Sequence, residues 1–218
     1  MLKKILVVLP LLVGSVLLAQ TPAAPAASGS LPPLVILIGP PLSGKTTFVE
    51  SIRTDYGIPA ISIEDLIKDN AAELERFRGE GMSMAEMRYD PAMTRYLKAR
   101  LQTTDLSHGI ALDGYPATLV QAQDLAKMVP DLHLSPIAFQ LQVPDDVIRE
   151  RAKKTGQQSN RPQILEQRIK DYHREMDSIA LYFPKAKVVA VDDNRPEAEV
   201  WKSIRAGLDG AGIKPVAK

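Results

Sequence analysis

The chain has 218 residues, 45% of them hydrophobic and 24% charged, a globular composition with enough apolar material for one catalytic domain. Its 27 basic and 26 acidic side chains leave a net charge of +1, so no broad field favours nucleic acid and any anion must be captured locally. The absence of cysteine excludes a disulfide framework, a thiolate metal site, a cysteine nucleophile and a lipid-bearing cysteine.

Residues 1–19 open with Lys3-Lys4, run apolar from Ile5 to Leu18 and end at Ala19-Gln20. That is the pattern of a secretory signal peptide, too short for a comfortable membrane span. The expectation is an exported protein, periplasmic or extracellular. Leu17 is larger than the residue usually wanted before cleavage, so an uncleaved N-terminal anchor is the alternative, and only then is the membrane a partner. Residues 20–32, rich in Pro, Ala and Ser, form a tether to a domain expected over 33–218.

The domain opens with Leu34 to Ile38, an unbroken apolar run suited to a strand buried on both faces. Gly39-Pro40-Pro41-Leu42-Ser43-Gly44-Lys45-Thr46-Thr47 follows, a complete phosphate-binding loop between a strand and a helix. Gly39 and Gly44 let the backbone wrap around an anion, so that successive N–H groups point at phosphate oxygens, and the next helix adds its positive end. Lys45 is expected to reach the β- and γ-phosphates and the Thr46 hydroxyl to hold Mg²⁺, which makes Mg·ATP the expected cofactor.

Four more apolar runs, Pro59 to Ser62, Ile110 to Asp113, Ile137 to Val143 and Val188 to Val191, read as short buried strands. Helices are expected over Thr46 to Tyr56, Ile63 to Phe77, Ser83 to Thr103, Ala117 to Met128, Asp145 to Lys154, Pro162 to Ser178 and Pro196 to Leu208. Strand and helix alternate, which predicts an α/β fold with a parallel sheet covered on both faces. Asp113 ends its strand before Gly114-Tyr115-Pro116 forces a turn. Ligands in such sheets bind beyond the carboxyl ends of the strands, so Asp113 is expected to face the phosphate loop and hold Mg²⁺ through water.

The loop, Ile58-Pro59-Ala60-Ile61-Ser62 before Asp65, and Asp113-Gly114-Tyr115-Pro116 stand in an order and spacing that resemble adenylate kinase. Gln121, Val143-Pro144, Arg151, Arg168, Tyr172-His173 and Val191-Asp192 continue the resemblance to the nucleoside-monophosphate kinases. It implies a P-loop NTPase-like three-layer sandwich with a five-stranded parallel sheet, a helical insert at about 62–104 that clasps the acceptor nucleotide, and a short lid at about 152–167. It further implies transfer of the γ-phosphoryl of Mg·ATP to a monophosphate, AMP first, by a monomer. Lys45, Asp113, Arg151 and Arg168 carry the transfer, and Ser62, Asp65, Lys68, Gly114 and Gln121 bind the acceptor, Gln121 at its base.

Several of the family's charged positions are altered. An arginine that grips the acceptor phosphate is Ala117 here, and a second is Lys68, which loses the planar fork that matches phosphate. Ile63-Glu64 replace a threonine-glycine pair. In the lid, Thr155 and Gln157 stand at arginine positions and Ser159-Asn160 at an acidic pair, with Arg161 as a candidate substitute. The alternative to an active kinase is therefore a degenerate nucleotide-binding module with little or no transfer. Tyr172 and His173 read as packing residues.

Overall fold

The computed structural model describes residues 31–78, 84–155, 161–181 and 187–217. The signal-peptide reading of 1–19, most of the tether and the lid positions Gln157, Ser159 and Asn160 lie outside them.

Strands β1 (Pro33–Ile38), β2 (Ala60–Ser62), β3 (Ile110–Asp113), β4 (Ser135–Gln142) and β5 (Lys187–Asp192) form one sheet in the order β2-β3-β1-β4-β5, every pairing parallel. Each lies within two residues of its expected bounds. Their apolar continuity follows from two covered faces. Leu34, Ile36, Ile38, Ile110 and Leu112 pack to one side, and Val35, Leu37, Ala111, Phe139 and Leu141 to the other.

The second side is covered by α1 (Lys45–Tyr56) and α9 (Glu197–Gly210), through Phe48, Val49, Ile52, Val200, Ile204 and Leu208. Burying each of these larger side chains contributes about 2 kcal/mol. The first side is covered by α2 (Ile63–Asp69), α3 (Ala71–Arg78), α4 (Met84–Met87), α5 (Ala92–Gln102), α6 (Leu119–Leu132) and α8 (Pro162–Leu181). Helix α7 (Asp145–Thr155) packs Ile148 and Ala152 on Leu165 and Ile169 of α8.

Two helices expected to be continuous are broken. Ile63 to Phe77 divides at Asn70, whose Nδ2 donates to Leu66 O at 2.7 Å and whose carbonyl takes the N–H groups of Glu73 and Leu74. An Asn side chain that competes for helix carbonyls ends one helix and its backbone starts the next. Ser83 to Thr103 divides before Pro91, which cannot donate to the preceding turn, and Asp90 Oδ1 accepts from Ala92 N at 2.7 Å. This second break puts Arg88 and Tyr89 on a turn instead of a helix.

Helix α6 begins at Leu119, not Ala117, because the Thr118 hydroxyl accepts from Gln121 N at 3.2 Å and Glu175 Oε2 accepts from Leu119 N at 3.1 Å. Where the lid was expected, α7 runs to Thr155 and α8 starts at Pro162, so most of 152–167 is the ends of two helices. Arg149 and Glu166 join them by a two-pronged pair at 2.6 and 2.9 Å. No helix among the described residues is long and apolar enough to cross a membrane.

Candidate active site

The site forms where β1 and β3 end side by side. Leu37 of β1 is in register with Asp113 of β3, so the loop that leaves β1 two residues later passes directly over that carboxylate. Gly39 has no room for a side chain, since a Cβ there would come 2.6 Å from Ser43 Oγ and 3.0 Å from Leu141 Cβ. Ser43 is completely buried beneath the loop, and Gly44, at φ 68°, turns the chain into α1 as only glycine does readily. Pro40 and Pro41 are buried, while Thr47 is exposed in the first turn of α1.

Lys45 Nζ reaches back along the loop, donating to Gly39 O at 2.8 Å, Pro40 O at 2.7 Å and Ser43 Oγ at 3.2 Å. Burial pushes its pKa down to about 8; Asp113 opposes that shift, while Arg88 and Arg168 add to it. Lys45 thus sits among loop carbonyls, one carboxylate and two arginines, where a polyphosphate would replace the loop carbonyls as its partners. Thr46 Oγ1 donates to Asp113 Oδ2 at 2.6 Å. A hydroxyl and a carboxylate held together at a helix N-terminus are hard oxygen donors of the kind Mg²⁺ takes, so the residues fit the ion the sequence implied. Burial raises the Asp113 pKa, against the opposing pull of Thr46 and Lys45.

The cleft beyond the loop is lined by Gly39, Pro41, Lys45, Arg88, Gly114, Ala117, Arg168 and Tyr172, among others. Three cationic side chains therefore converge on it from α1, from the turn before α5 and from α8. Arg168 is lowered in pKa by burial and by Arg88. A strand-end carboxylate, a lysine in a glycine-bounded loop and arginines from two flanking elements have the chemistry that suits an anion with a hard cation at one edge.

The family model described as adenylate kinase matches residues 37–188, which spans the loop, the cleft and both flanking helices. The chain belongs to the adenylate kinase family. Among its relatives are adenylate kinases of Nocardia farcinica, 30% identical over 72% of this chain and 89% of that one, of Clavibacter michiganensis subsp. michiganensis, 29% over 83% and 95%, and of Trichodesmium erythraeum, 26% over 80% and 97%. This is a family of nucleotide kinases.

Other expected site residues of this adenylate kinase homologue have more structural surroundings. Ser62 and Asp65 cap α2 reciprocally, with Asp65 N donating to Ser62 Oγ at 2.9 Å and Ser62 Oγ to Asp65 Oδ2 at 2.7 Å. Lys68 is exposed on α2, and among the described residues of the insert the charged side chain that lines the cleft is Arg88. Gln121 is completely buried. Its Oε1 accepts from Ala117 N at 2.7 Å, and its Nε2 donates to Arg88 O at 2.8 Å and more weakly to Asp90 O at 3.4 Å. Both ends of the carboxamide thus hold protein backbone.

Arg151 is similarly engaged. Its guanidinium donates to Leu42 O at 3.0 Å, to Asp193 Oδ2 at 2.9 Å and to Asp193 O at 2.6 Å. Leu42 has φ 62°, a strained value for a leucine, and Arg151 fixes that loop residue against the end of β5. Arg151, expected to take part in the transfer, thus ties the phosphate loop to the residue that follows β5. Arg161 is exposed ahead of α8, and His173 Nε2 lies 2.9 Å from Asp145 Oδ1 at the surface, while Tyr172 lines the cleft.

The residue that sequence reasoning missed is Arg88. Its signal was Pro91: a break before that proline removes Arg88 from a helix face and places it on a turn over the site.

Proposed function

We propose that the chain transfers the γ-phosphoryl of Mg·ATP to a nucleoside monophosphate, with AMP as the acceptor. The observation that carries this is the convergence of Lys45, the Thr46–Asp113 pair, Arg88 and Arg168 on one cleft, in a chain whose relatives are named adenylate kinases. A phosphate oxygen of AMP attacks the γ-phosphorus in line, the bond from that phosphorus to the β–γ bridging oxygen breaks, and two ADP result. Loop N–H groups and Lys45 bind the β- and γ-phosphates, and Arg168 faces the charge on the phosphoryl in transit. Thr46 directly, and Asp113 through water, would hold Mg²⁺, which when bound neutralises phosphate charge. The chain acts as an exported protein, or one anchored by residues 1–19, and as a monomer.

The test is ADP release by the full chain with Mg·ATP and a panel of AMP, GMP, CMP, UMP and dTMP, beside Lys45→Ala. Acceptor-stimulated release that Lys45→Ala abolishes supports the kinase and names the acceptor. Ala117 and the engagement of Arg151 with Leu42 and Asp193 favour a second reading, a nucleotide-binding module with little transfer. Lys45-dependent ATP binding without acceptor-stimulated release would select it.

A further inference from the structure

Arg88 is held at both ends, but its charge is only partly used. Gln121 bridges its carbonyl to the N–H of Ala117, so the two backbones lie within one carboxamide and two hydrogen bonds of each other. The Arg88 side chain is 21% exposed and lines the cleft beside Lys45, Gly114, Ala117 and Arg168. Arg88 Nη2 donates to Glu64 Oε1 at 2.5 Å, and Glu64, at 59% exposed, lies on the solvent side of that pair. Arg88 Nε is buried and has no hydrogen-bond partner among the described residues.

Those facts sit badly with a merely structural ion pair. Nε and Nη2 form one edge of the guanidinium fork, and that edge suits two oxygens of one carboxylate or phosphate. Glu64 occupies a single prong and leaves a buried donor unsatisfied, a fault that folds normally avoid. The cation also lies close enough to Lys45 and Arg168 to lower the pKa of each, an arrangement that raises the cost of the fold unless an anion joins it. A phosphate monoester brings two or more oxygens and a charge near −2, enough to fill both prongs and to displace a solvent-exposed carboxylate.

We propose that Arg88 binds the phosphate of the acceptor nucleotide, standing in for the guanidinium that Ala117 lacks, and that Glu64 holds Arg88 in place until that phosphate displaces it. This rests on the reading of the cleft as the site of a nucleotide acceptor. Arg88 reaches the same region from the opposite side of the Gln121 bridge. Glu64 then sets the affinity, because every bound phosphate must break the Arg88–Glu64 pair.

The experiment compares AMP with adenosine by calorimetry on the full chain, for wild type, Arg88→Ala, Arg88→Lys, Glu64→Gln and the double variant Arg88→Ala with Ala117→Arg. Wild type binds AMP more tightly than adenosine. Arg88→Ala erases that difference, weakening AMP about tenfold or more while adenosine and Mg·ATP stay within about twofold. Arg88→Lys falls between, since it keeps the charge without the fork. Glu64→Gln tightens AMP, and Ala117→Arg restores part of the loss in the Arg88→Ala background.

The proposal is overturned if wild type binds AMP no better than adenosine, if Arg88→Ala leaves AMP affinity unchanged, or if it weakens adenosine equally. ADP release separates this from the kinase reading. Arg88-dependent AMP binding without acceptor-stimulated release defeats the kinase alone; release that is indifferent to Arg88 defeats Arg88 alone.

Discussion

Thr46 Oγ1 and Asp113 Oδ2 meet at 2.6 Å although 67 residues separate them in the chain. The contact follows from the topology, because β3 lies next to β1 and the parallel register sets Asp113 beside Leu37 just before the loop begins. A strand-end aspartate anywhere else in the sheet would be a turn residue. Here it faces the first turn of the helix that the phosphate loop starts.

Asp113→Asn keeps the shape and an acceptor for Thr46 but removes the charge that would hold Mg²⁺ through water. ADP release should fall on the order of a hundredfold, and the Mg²⁺ concentration for half-maximal rate should rise. Thermal stability should hold or increase, since burial already pushes the Asp113 carboxyl toward its neutral form. A magnesium titration checks this, and a variant with the wild-type magnesium dependence would remove Asp113 from the metal site.

Lys45 titrates at about 8 in the fold against 10.5 for the free side chain, chiefly because burial disfavours its charge. Below pH 8 folded and unfolded chains both hold the proton, and the cost of the buried charge is constant, about 3 kcal/mol. Between 8 and 10.5 the unfolded chain binds more protons, so this group makes the fold more stable as pH rises. Lys45→Met should therefore raise the melting temperature at pH 7 and flatten that rise, while abolishing ATP binding. For wild type, ATP affinity should decline above pH 8, with proton uptake on binding at that pH, measurable by calorimetry in two buffers of different ionisation enthalpy.

The phosphate loop, the five strands and Asp113 were legible because each depends on residues close in sequence: an apolar run for two buried faces, glycines where a backbone must approach or turn, a carboxylate at a strand end. What escaped the sequence depends on contacts between distant residues. Nothing in Arg151 reveals that Asp193 and Leu42 O take its guanidinium, or in Gln121 that its carboxamide joins Ala117 to Arg88. The helix breaks at Asn70 and before Pro91 were visible locally, but the apolar periodicity ran through both and outweighed them. Missing the second break also hid Arg88, whose value to the site comes only from the turn on which it stands.

Arg151 balances a carboxylate that is only 5% exposed, so its loss should be felt in stability before chemistry. Burial raises the Asp193 pKa and Arg151 lowers it, so Arg151→Ala lets it climb further. A raised folded pKa costs nothing below the unfolded value near 4 and progressively more as pH rises past it. Arg151→Ala should thus be destabilised by about 2 kcal/mol at pH 7 and much less at pH 4. Adding Asp193→Asn should recover most of that loss, while KM for ATP stays raised because Leu42 O has lost its donor. Full recovery of both stability and KM would mean that Arg151 does nothing for the loop.

Gln121 offers the sharpest test of the bridge, because one atom decides it. In Gln121→Glu, an oxygen replaces the nitrogen that donates to Arg88 O and Asp90 O. Ionised, that oxygen faces two carbonyls inside a buried site; protonated, it donates as the amide did. The folded pKa of the new carboxyl must then lie above its unfolded value of about 4.3, so the unfolded chain ionises first and the variant loses stability as pH rises between the two. Melting should be close to wild type at pH 4 and lower by about 2 kcal/mol at pH 8, whereas Gln121→Ala should lose a similar amount at every pH. AMP affinity should follow the same pH course in Gln121→Glu, since the turn that carries Arg88 is released with the bridge. A glutamate variant that melts with wild type across the whole range would show that the bridge does not form in solution, and with it would go the placement of Arg88 beside Ala117.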